Sequence, residues 1–256
     1  MALHHVESVM GTSISIDVVD SHDRSIIDDL VAWFHEVDDV FSPYKDLSPI
    51  SRIGRGEVGP GDPVLTDDVM EVLQRCEELI VETEGVFDVW NLPSPNGTRF
   101  DPCGYVKGWS VERACALLRA HSVRDYCINA GGDIAFAGRD HDGNHWHIGV
   151  RHPERADALS VVLHGEGPLG IATSGSYERG AHIFDPRDGL PVTELAAVTI
   201  VGPSLAEADA FATTVYVMGL YGLEWLERFP QYAGCVMTHE GQMFTTEGFD
   251  AYLVAG

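Results

Sequence analysis

Four segments of the chain place polar side chains and glycines at spacings that suit a charged ligand. Asp209 and Thr213 lie four residues apart, which puts a carboxylate and a hydroxyl on one helix face, one turn apart. Hard divalent cations take oxygen ligands, so this pair with backbone carbonyls suits magnesium better than zinc. The structural alternative has Asp209 as a first-turn dipole partner and Thr213 bonded back to its own helix.

A histidine lies near a carboxylate in the Pro/Gly turn that ends at Pro191. His182 precedes Asp185 by three residues, and a nearby carboxylate can fix the tautomer of a histidine that acts as a general base. An exposed turn histidine is the alternative and the commoner fate for any one of twelve. The others form no zinc motif, since H-E-x-x-H and Cys/His pairs are absent from the sequence.

Two glycine-containing segments are candidates for binding an anion. In Asp101–Trp109, Gly104 and Gly108 let the backbone approach a ligand, while Lys107 offers a charge to a phosphate near a helix N-terminus. The alternative there is a turn with a capping aspartate. Asn129–Ile134 predicts either a hairpin turn built on its two glycines or a loop that presents N–H groups to an anion.

The charge balance limits how a phosphate can be held. The chain has 256 residues with 40 acidic and 16 basic side chains, a formal charge of −24, and its only lysines are Lys45 and Lys107. Nucleic-acid binding needs clustered positive charge, and anionic membrane surfaces are disfavoured for the same reason. A phosphate-bearing ligand must therefore be held locally by a metal ion, backbone N–H groups or one or two cations.

Periodicity predicts an α+β fold with antiparallel or mixed sheets packed with helices. Helices are predicted from Ser21, after Thr66, over Trp109–Ala120 and from Ser204 to Tyr216 or beyond. Strands are predicted at Ser13–Val19, Asp125–Asn129, Ile134–Ala137, Trp146–Val150, Ser160–Leu163, Leu169–Thr173, Ala196–Val201, Gly234–Met237 and Gln242–Thr245. The segment from 41 to 61 predicts a loop, and residues 1–256 are predicted as one domain because no linker or repeat marks a boundary.

The chain carries no recognisable export or membrane segment. Its N-terminal stretch lacks the charged and apolar regions of a secretory signal, and no run has the length of a membrane span. Five widely spaced cysteines without a C-x-x-C pair predict reduced thiols in a cytoplasmic protein. A trimmed exported form is the alternative.

Taken in order, nine segments resemble the motifs of the ApbE family of FAD:protein FMN transferases, from about residue 8 to 250. They are Met10-Gly-Thr, Tyr44 with Ser48 to Ser51, Val86-Phe-Asp, Asp101-x-x-Gly-x-x-Lys-Gly, Asn129-Ala-Gly-Gly-Asp-Ile, Trp146-His-Ile-Gly-Val, Ala172-Thr-Ser-Gly-x-Tyr-Glu-Arg, His182-Ile-x-Asp-Pro-Arg-x-Gly-x-Pro and Ala208-Asp-Ala-x-Ala-Thr. The resemblance implies an α+β fold related to the T-fold. It also implies that FAD and magnesium bind, and that FMN moves from FAD to a threonine or serine hydroxyl of an acceptor protein, releasing AMP.

The resemblance also implies residue roles. Asp209 and Thr213 would bind magnesium together with the main-chain oxygens of Gly104 and Ala212. His182 is the candidate base for the acceptor hydroxyl, with Asp185 shaping the turn. The implied FAD site is lined by Met10, Tyr44, Val86, Phe87, Asp88, Asp101, Lys107, His182 and Ile183. The implied acceptor carries a Ser/Thr-Gly-Ala-Ser/Thr segment.

Two other functions fit the same motifs. With water in place of the acceptor hydroxyl, the protein would be an FAD pyrophosphatase that releases FMN and AMP. A flavin carrier without turnover would not need the metal pair.

The sequence also differs from longer family members. Twelve residues separate Asp88 from Asp101, where longer family members carry a helical insertion, and the lipoprotein signal of many relatives is absent. The sequence therefore resembles a short, cytosolic form of the family.

Overall fold

Helices and strands alternate irregularly along the chain, and the predicted α+β class is confirmed. The computed structural model describes residues 2–94, 97–155, 157–165, 167–175 and 183–254. The helices are α1 (Ser25–Phe41), α2 (Pro49–Gly54), α3 (Asp67–Glu82), α4 (Cys103–Ala120), α5 (Leu205–Met218) and α6 (Tyr221–Leu226), with a 3₁₀ turn at Phe249–Tyr252. The strands are β1 (Leu3–Val9), β2 (Thr12–Val18), β3 (Leu92–Ser94), β4 (Gly97–Arg99), β5 (Tyr126–Ala130), β6 (Asp133–Ala137), β7 (Trp146–Arg151), β8 (Leu159–Gly165), β9 (Leu169–Gly175), β10 (Leu195–Gly202), β11 (Ala233–Thr238) and β12 (Met243–Thr245).

One antiparallel sheet organises the fold. Eight strands follow the order β1-β2-β5-β6-β9-β10-β11-β12, while β3–β4 and β7–β8 form separate two-stranded sheets. Strand β10 is buried along its whole length, because Val198 and Ile200 belong to the main core and Val201 belongs to a second core on the other face. The second core includes Ile148 and Leu163 of the β7–β8 hairpin. Both faces of the sheet are therefore covered where β9 and β10 run.

Helices α4 and α5 pack directly against each other at a glycine. A Cβ atom added to Gly108 would lie 2.6 Å from the carbonyl oxygen of Leu205 and 2.8 Å from Cα of Ala206. On the other side of Leu205, a Cβ on Gly170 of β9 would lie 2.5 Å from its Cα. The first turn of α5 is thus enclosed between α4 and β9, and only residues without side chains permit this approach.

Several element boundaries differ from the sequence prediction. Helix α4 begins at Cys103, not at Trp109, because Gly104 and Gly108 serve helix packing, and tertiary contact outweighs the low helix propensity of glycine. Helix α1 begins at Ser25, not near Ser21, and Asp23 accepts a hydrogen bond of 3.0 Å from the Ser25 N–H. Prediction also missed β1, β3, β4, α6 and, within the expected loop, α2.

Other boundaries are confirmed because their signals are local. Thr66 and Ser204 cap α3 and α5, each accepting a hydrogen bond from a backbone N–H three residues later. The strands from β5 onward lie within one or two residues of their predicted positions. In the described part of the chain, no helix is both long and apolar enough to cross a membrane.

The approach of α4 to α5 gives a stability prediction. Gly108→Ala lowers the free energy of unfolding by about 1 kcal/mol or more, because overpacking against immobile backbone costs about 1–3 kcal/mol. That cost exceeds the helix propensity of up to about 1 kcal/mol that alanine gains over glycine. Urea unfolding followed by circular dichroism measures the change. Gly59→Ala is the control, since a Cβ there meets open space; equal midpoints for the two variants would refute the packing argument.

Candidate functional site

A lysine and two buried aspartates meet where α4, α5 and β6 come together. The ammonium of Lys107 on α4 forms an ion pair with Oδ2 of Asp133 and lies 3.7 Å from Oδ1 of Asp209. Asp133 is 1% exposed and Asp209 is 4% exposed. Carboxylates are rarely buried to this degree unless they are paired or bind a cation. This group, called the aspartate–lysine cluster below, is therefore the first candidate for a functional centre.

The β5–β6 hairpin positions Asp133. Gly131 and Gly132 adopt φ values of +60° and +98°, and Oδ1 of Asn129 accepts a hydrogen bond of 2.8 Å from the Gly132 N–H. The hairpin interpretation of this segment is confirmed. Asp133 is the first residue of β6, and its Oδ1 accepts a hydrogen bond of 3.1 Å from the N–H of Thr173 on β9. Its carboxylate is thereby held at the junction of two strands.

The negative charge of Asp209 is compensated less completely than that of Asp133. Burial raises the pKa of Asp209 well above its usual range, while the charge of Lys107 opposes the rise and that of Asp133 adds to it. The hydrogen bond from the Gly108 N–H to Oδ2 is long, at 3.3 Å. An ionised Asp209 would therefore be strongly stabilised by a further positive charge.

The oxygen atoms near Asp209 fit a hard divalent cation. Thr213 lies one turn further along α5, and its Oγ1 is 3.3 Å from Oγ of Ser174 on β9. Gly104 and Ala212 lie on α4 and α5, which pack together. Over the described ranges, no three His, Cys, Asp or Glu residues form a metal-binding group. A cation here would complete its shell with hydroxyl, carbonyl or water oxygens, which suits Mg²⁺ and not a zinc site.

Arg99, the last residue of β4, links two of the expected flavin residues just before α4 begins. These residues are Tyr44 and Asp101. Oδ1 of Asp101 accepts a hydrogen bond of 3.0 Å from the Cys103 N–H, and Oδ2 lies 3.0 Å from Nη2 of Arg99. The Arg99 guanidinium lies 5.9 Å from the ring centroid of Tyr44, whose side chain is 76% exposed. Asp101 therefore satisfies an N–H of the first helical turn, and Arg99 joins it to an exposed aromatic ring.

The segment Val86–Asp88 supports the same end of α4. Val86 and Phe87 are buried, and a Cβ on Gly104 would lie 3.4 Å from the Phe87 ring. Asp88 accepts hydrogen bonds of 2.7 Å from the Trp90 N–H and from the Asn91 amide. Phe87 thus packs against the helix, and Asp88 organises the turn that follows.

Met10 reaches α4 from the β1–β2 turn. It adopts a φ of +56°, and its sulfur lies 3.9 Å from Oγ of Ser110. That hydroxyl donates a hydrogen bond of 2.7 Å to the carbonyl oxygen of Lys107. Met10, Phe87, Asp101 and Lys107 are therefore all placed along the first two turns of α4.

The turn after residue 182 is built around Asp185. Its carbonyl oxygen accepts a hydrogen bond of 2.7 Å from the Gly189 N–H, and its carboxylate pairs with the Arg187 side chain, which lowers the pKa of Asp185. Asp185 thus shapes this turn. Ile183 is half-buried against the main core. His182, the candidate base, lies outside the described residues, so its relation to the aspartate–lysine cluster stays a prediction.

Sequence reasoning missed Asp133, Arg99 and Ser174 as site residues. Asp133 has no role of its own in the predicted Asn129–Ile134 segment, although a carboxylate that opens an otherwise apolar strand is a signal of burial with a partner. Arg99 and Ser174 carry no such local signal, since their partners lie elsewhere in the sequence. Gly108 was expected to admit a ligand, and it instead admits α5.

The N-terminus of α5, which carries Asp209, is held by a partly buried carboxylate of α4. Oε2 of Glu112 accepts hydrogen bonds of 2.9 Å from the Ser204 hydroxyl and 3.2 Å from the Ala206 N–H. Burial raises the pKa of Glu112, and these two hydrogen bonds oppose the rise. From the other side, the Arg75 guanidinium binds both carboxylate oxygens of Glu207, at 2.6 and 2.7 Å. Helix α5 is therefore fixed to α3 and α4 before it reaches Asp209.

Comparison with known proteins identifies the family. The sequence matches the model of the ApbE family over residues 10–94 and 90–237. The chain belongs to the ApbE family. A protein of Klebsiella pneumoniae named FAD:protein FMN transferase is 28% identical over 150 residues, which cover 55% of this chain and 43% of that protein. The match thus spans less than half the length of this curated ApbE relative.

Two solved ApbE structures have the same fold. The flavin transferase ApbE from Vibrio cholerae has a TM-score of 0.85 and 22% identity, and the alignment covers 99% of both chains. The apo form of the flavinyl transferase ApbE from Pseudomonas stutzeri has a TM-score of 0.82 and 24% identity, covering 100% of this chain and 98% of that one. At these identities, the similarity establishes the ApbE fold for this chain.

The support of α5 by Glu112 gives a pH prediction. A carboxyl whose pKa is higher in the folded chain binds more protons when folded, so stability falls as the pH rises between the two pKa values. Glu112→Gln removes this loss and keeps an oxygen acceptor for Ser204 and Ala206. We expect the urea midpoint of the variant to rise relative to the wild type between pH 5 and pH 8.

The control for this measurement is Glu77→Gln, which changes an exposed carboxyl of α3. Its midpoint should follow that of the wild type at both pH values. A Glu112→Gln variant that loses stability relative to the wild type as the pH rises would contradict the direction of the pKa shift.

Proposed function

We propose that the protein transfers the FMN half of FAD to a threonine or serine hydroxyl of an acceptor protein, with Mg²⁺, and releases AMP. One observation carries the proposal. Four residues of the family's flavin motifs, Met10, Phe87, Asp101 and Lys107, lie along the first two turns of α4, beside the two aspartates of the aspartate–lysine cluster on α5 and β6. A pyrophosphate needs a local cation in a chain of charge −24, and this cluster supplies one lysine and the oxygens for a metal.

The chain's own residues would hold and orient the pyrophosphate. Asp209 and Thr213, with main-chain oxygens of Gly104 and Ala212, would bind Mg²⁺, which supplies charge neutralisation at the phosphate oxygens and at the departing AMP. Lys107 adds a positive charge beside them. Catalysis of phosphoryl transfer rests mainly on such positioning and charge stabilisation, so a rigid α4–α5 contact suits the task.

The proposed reaction forms one bond to phosphorus, breaks another, and needs one base to take a proton. The acceptor Oγ forms a bond to the phosphorus on the riboflavin side, the bond from that phosphorus to the bridging oxygen breaks, and AMP leaves. His182 would take the proton from the acceptor hydroxyl, which contributes about 10²- to 10⁴-fold. Asp185 and Arg187 would fix the turn that carries it.

The proposed acceptor presents a Ser/Thr-Gly-Ala-Ser/Thr segment, and we place the reaction in the cytoplasm. The location is supported by the five cysteines, all of which are free.

The test mixes the protein with FAD, Mg²⁺ and a purified acceptor that carries this segment. Denaturing gel fluorescence detects covalent flavin, and chromatography measures AMP. We expect both products with the acceptor and neither when its hydroxyl residues are replaced by alanine. FMN and AMP without covalent flavin would assign an FAD pyrophosphatase instead, and the absence of every product would overturn the proposed activity.

Asp209→Ala tests the metal assignment. We expect transfer to fall about 100-fold or more, because a metal supplies several kcal/mol of charge stabilisation and 1.36 kcal/mol equals a factor of ten in rate. Circular dichroism should stay that of the wild type. Asp28→Ala on the exposed face of α1 is the control and should transfer normally. Full activity in Asp209→Ala would remove the metal from this position.

His182→Ala separates catalysis from binding. The turnover number should fall by about 10²- to 10⁴-fold, while the dissociation constant of FAD, from fluorescence quenching, stays unchanged. His22→Ala, at an exposed position before α1, should match the wild type in both measurements. If His182→Ala weakens FAD binding in proportion to the lost activity, the histidine binds flavin and is not the base.

A further inference from the structure

Asp133 is the best anchored member of the aspartate–lysine cluster. Its backbone pairs with Ala130 at the closed end of the β5–β6 hairpin, and its Oδ1 accepts the hydrogen bond from the Thr173 N–H on β9. The side chain is 1% exposed. Because backbone and carboxylate are both fixed by strands, Asp133 cannot follow a movement of its partner.

Lys107 is the movable member. Its side chain is 31% exposed, and four methylene groups carry the ammonium, which has no fixed geometry of donors. The ammonium contacts Oδ2 of Asp133 but lies 3.7 Å from Oδ1 of Asp209. The structure thus holds this charge closer to one aspartate than to the other.

That asymmetry matters for a cation at Asp209. An ammonium in contact with the Asp209 oxygens would occupy their lone pairs and repel a divalent ion over a short, poorly screened distance. With the ammonium in contact with Asp133, Asp209 has a longer ion pair of 3.7 Å with Lys107 and a long hydrogen bond from the Gly108 N–H, so a divalent ion meets less competition at its oxygens. The two neighbouring carboxylates also retain Lys107 near the ligand, and its charge is shared unequally between them.

We propose that Asp133 is a positioning residue that holds the Lys107 ammonium away from Asp209, so that Asp209 stays free to bind a divalent cation. The inference rests on the metal assignment in the proposed function. It concerns affinity for the ion, and it therefore has a readout that needs neither FAD nor an acceptor.

The test measures Mn²⁺ binding to the full chain by electron paramagnetic resonance of the free ion, without FAD. Asp133→Asn keeps the shape of the side chain and an acceptor for the Thr173 N–H. The ammonium then moves to Asp209, and we expect the Mn²⁺ dissociation constant to rise on the order of tenfold. Lys107→Met alone should lower the dissociation constant below that of the wild type.

The double variant Asp133→Asn with Lys107→Met decides between three roles for Asp133. With the competing ammonium gone, we expect Mn²⁺ affinity to return at least to the wild-type value. If Asp133 itself bound the ion, or only supported the fold, Asp133→Asn would weaken Mn²⁺ binding in the Lys107→Met background as much as it does in the wild type, so the double variant would bind more weakly than Lys107→Met alone. That result would overturn the inference, as would an unchanged dissociation constant in Asp133→Asn.

Asp209→Ala separates this inference from the proposed function. Loss of Mn²⁺ binding in that variant, with normal binding in Asp133→Asn, would refute the positioning role alone. Unchanged binding in Asp209→Ala would refute the metal assignment and the inference that rests on it. If Asp133→Asn does not fold, the Mn²⁺ affinity of Lys107→Met still tests the inference. A Lys107→Met variant that binds Mn²⁺ as weakly as the wild type, or more weakly, would contradict competition by the ammonium.

Discussion

The close approach of α4 to α5 at Gly108 is the constraint on which the candidate site depends. The absence of a side chain there brings the backbone N–H of Gly108 within hydrogen-bonding distance of Asp209 and places Lys107 beside the same carboxylate. Leu205, enclosed by Gly108 and Gly170, transmits the constraint to β9, whose Thr173 and Ser174 complete the surroundings of the two aspartates. A small shift between these helices would separate the groups that the chemistry needs together.

The electrostatics of the molecule differ between surface and interior. A charge of −24 gives a surface that repels polyanions, yet the aspartate–lysine cluster holds one of only two lysines against two buried carboxylates. Buried carboxylates around a single ammonium leave negative charge in a low-dielectric region, which is costly unless a cation balances it. We therefore propose that the site recruits a metal ion locally, which a pyrophosphate ligand would need in an acidic protein.

Local signals in the sequence predict much of the fold, and the features of the fold and site that they do not predict depend on long-range contacts. The caps Thr66 and Ser204 and the Gly131-Gly132 hairpin were identifiable because each acts within a few residues. The helical spacing of Asp209 and Thr213 likewise predicts the metal pair that we propose. In contrast, the start of α4 at Cys103 depends on α5, and the role of Asp133 depends on β9 and Lys107. No local pattern encodes those partners, so glycines that serve packing were interpreted as a ligand loop.

In the proposed function, a divalent cation completes the charge at Asp209. The most direct measurement is an anomalous difference map from crystals of the protein grown with Mn²⁺ and FAD. We predict a single strong peak within coordination distance of an Asp209 carboxylate oxygen and of Thr213 Oγ1, with the Lys107 ammonium still at Asp133. A well-ordered pyrophosphate without a peak at Asp209, or with Lys107 bound there in place of the metal, would contradict it.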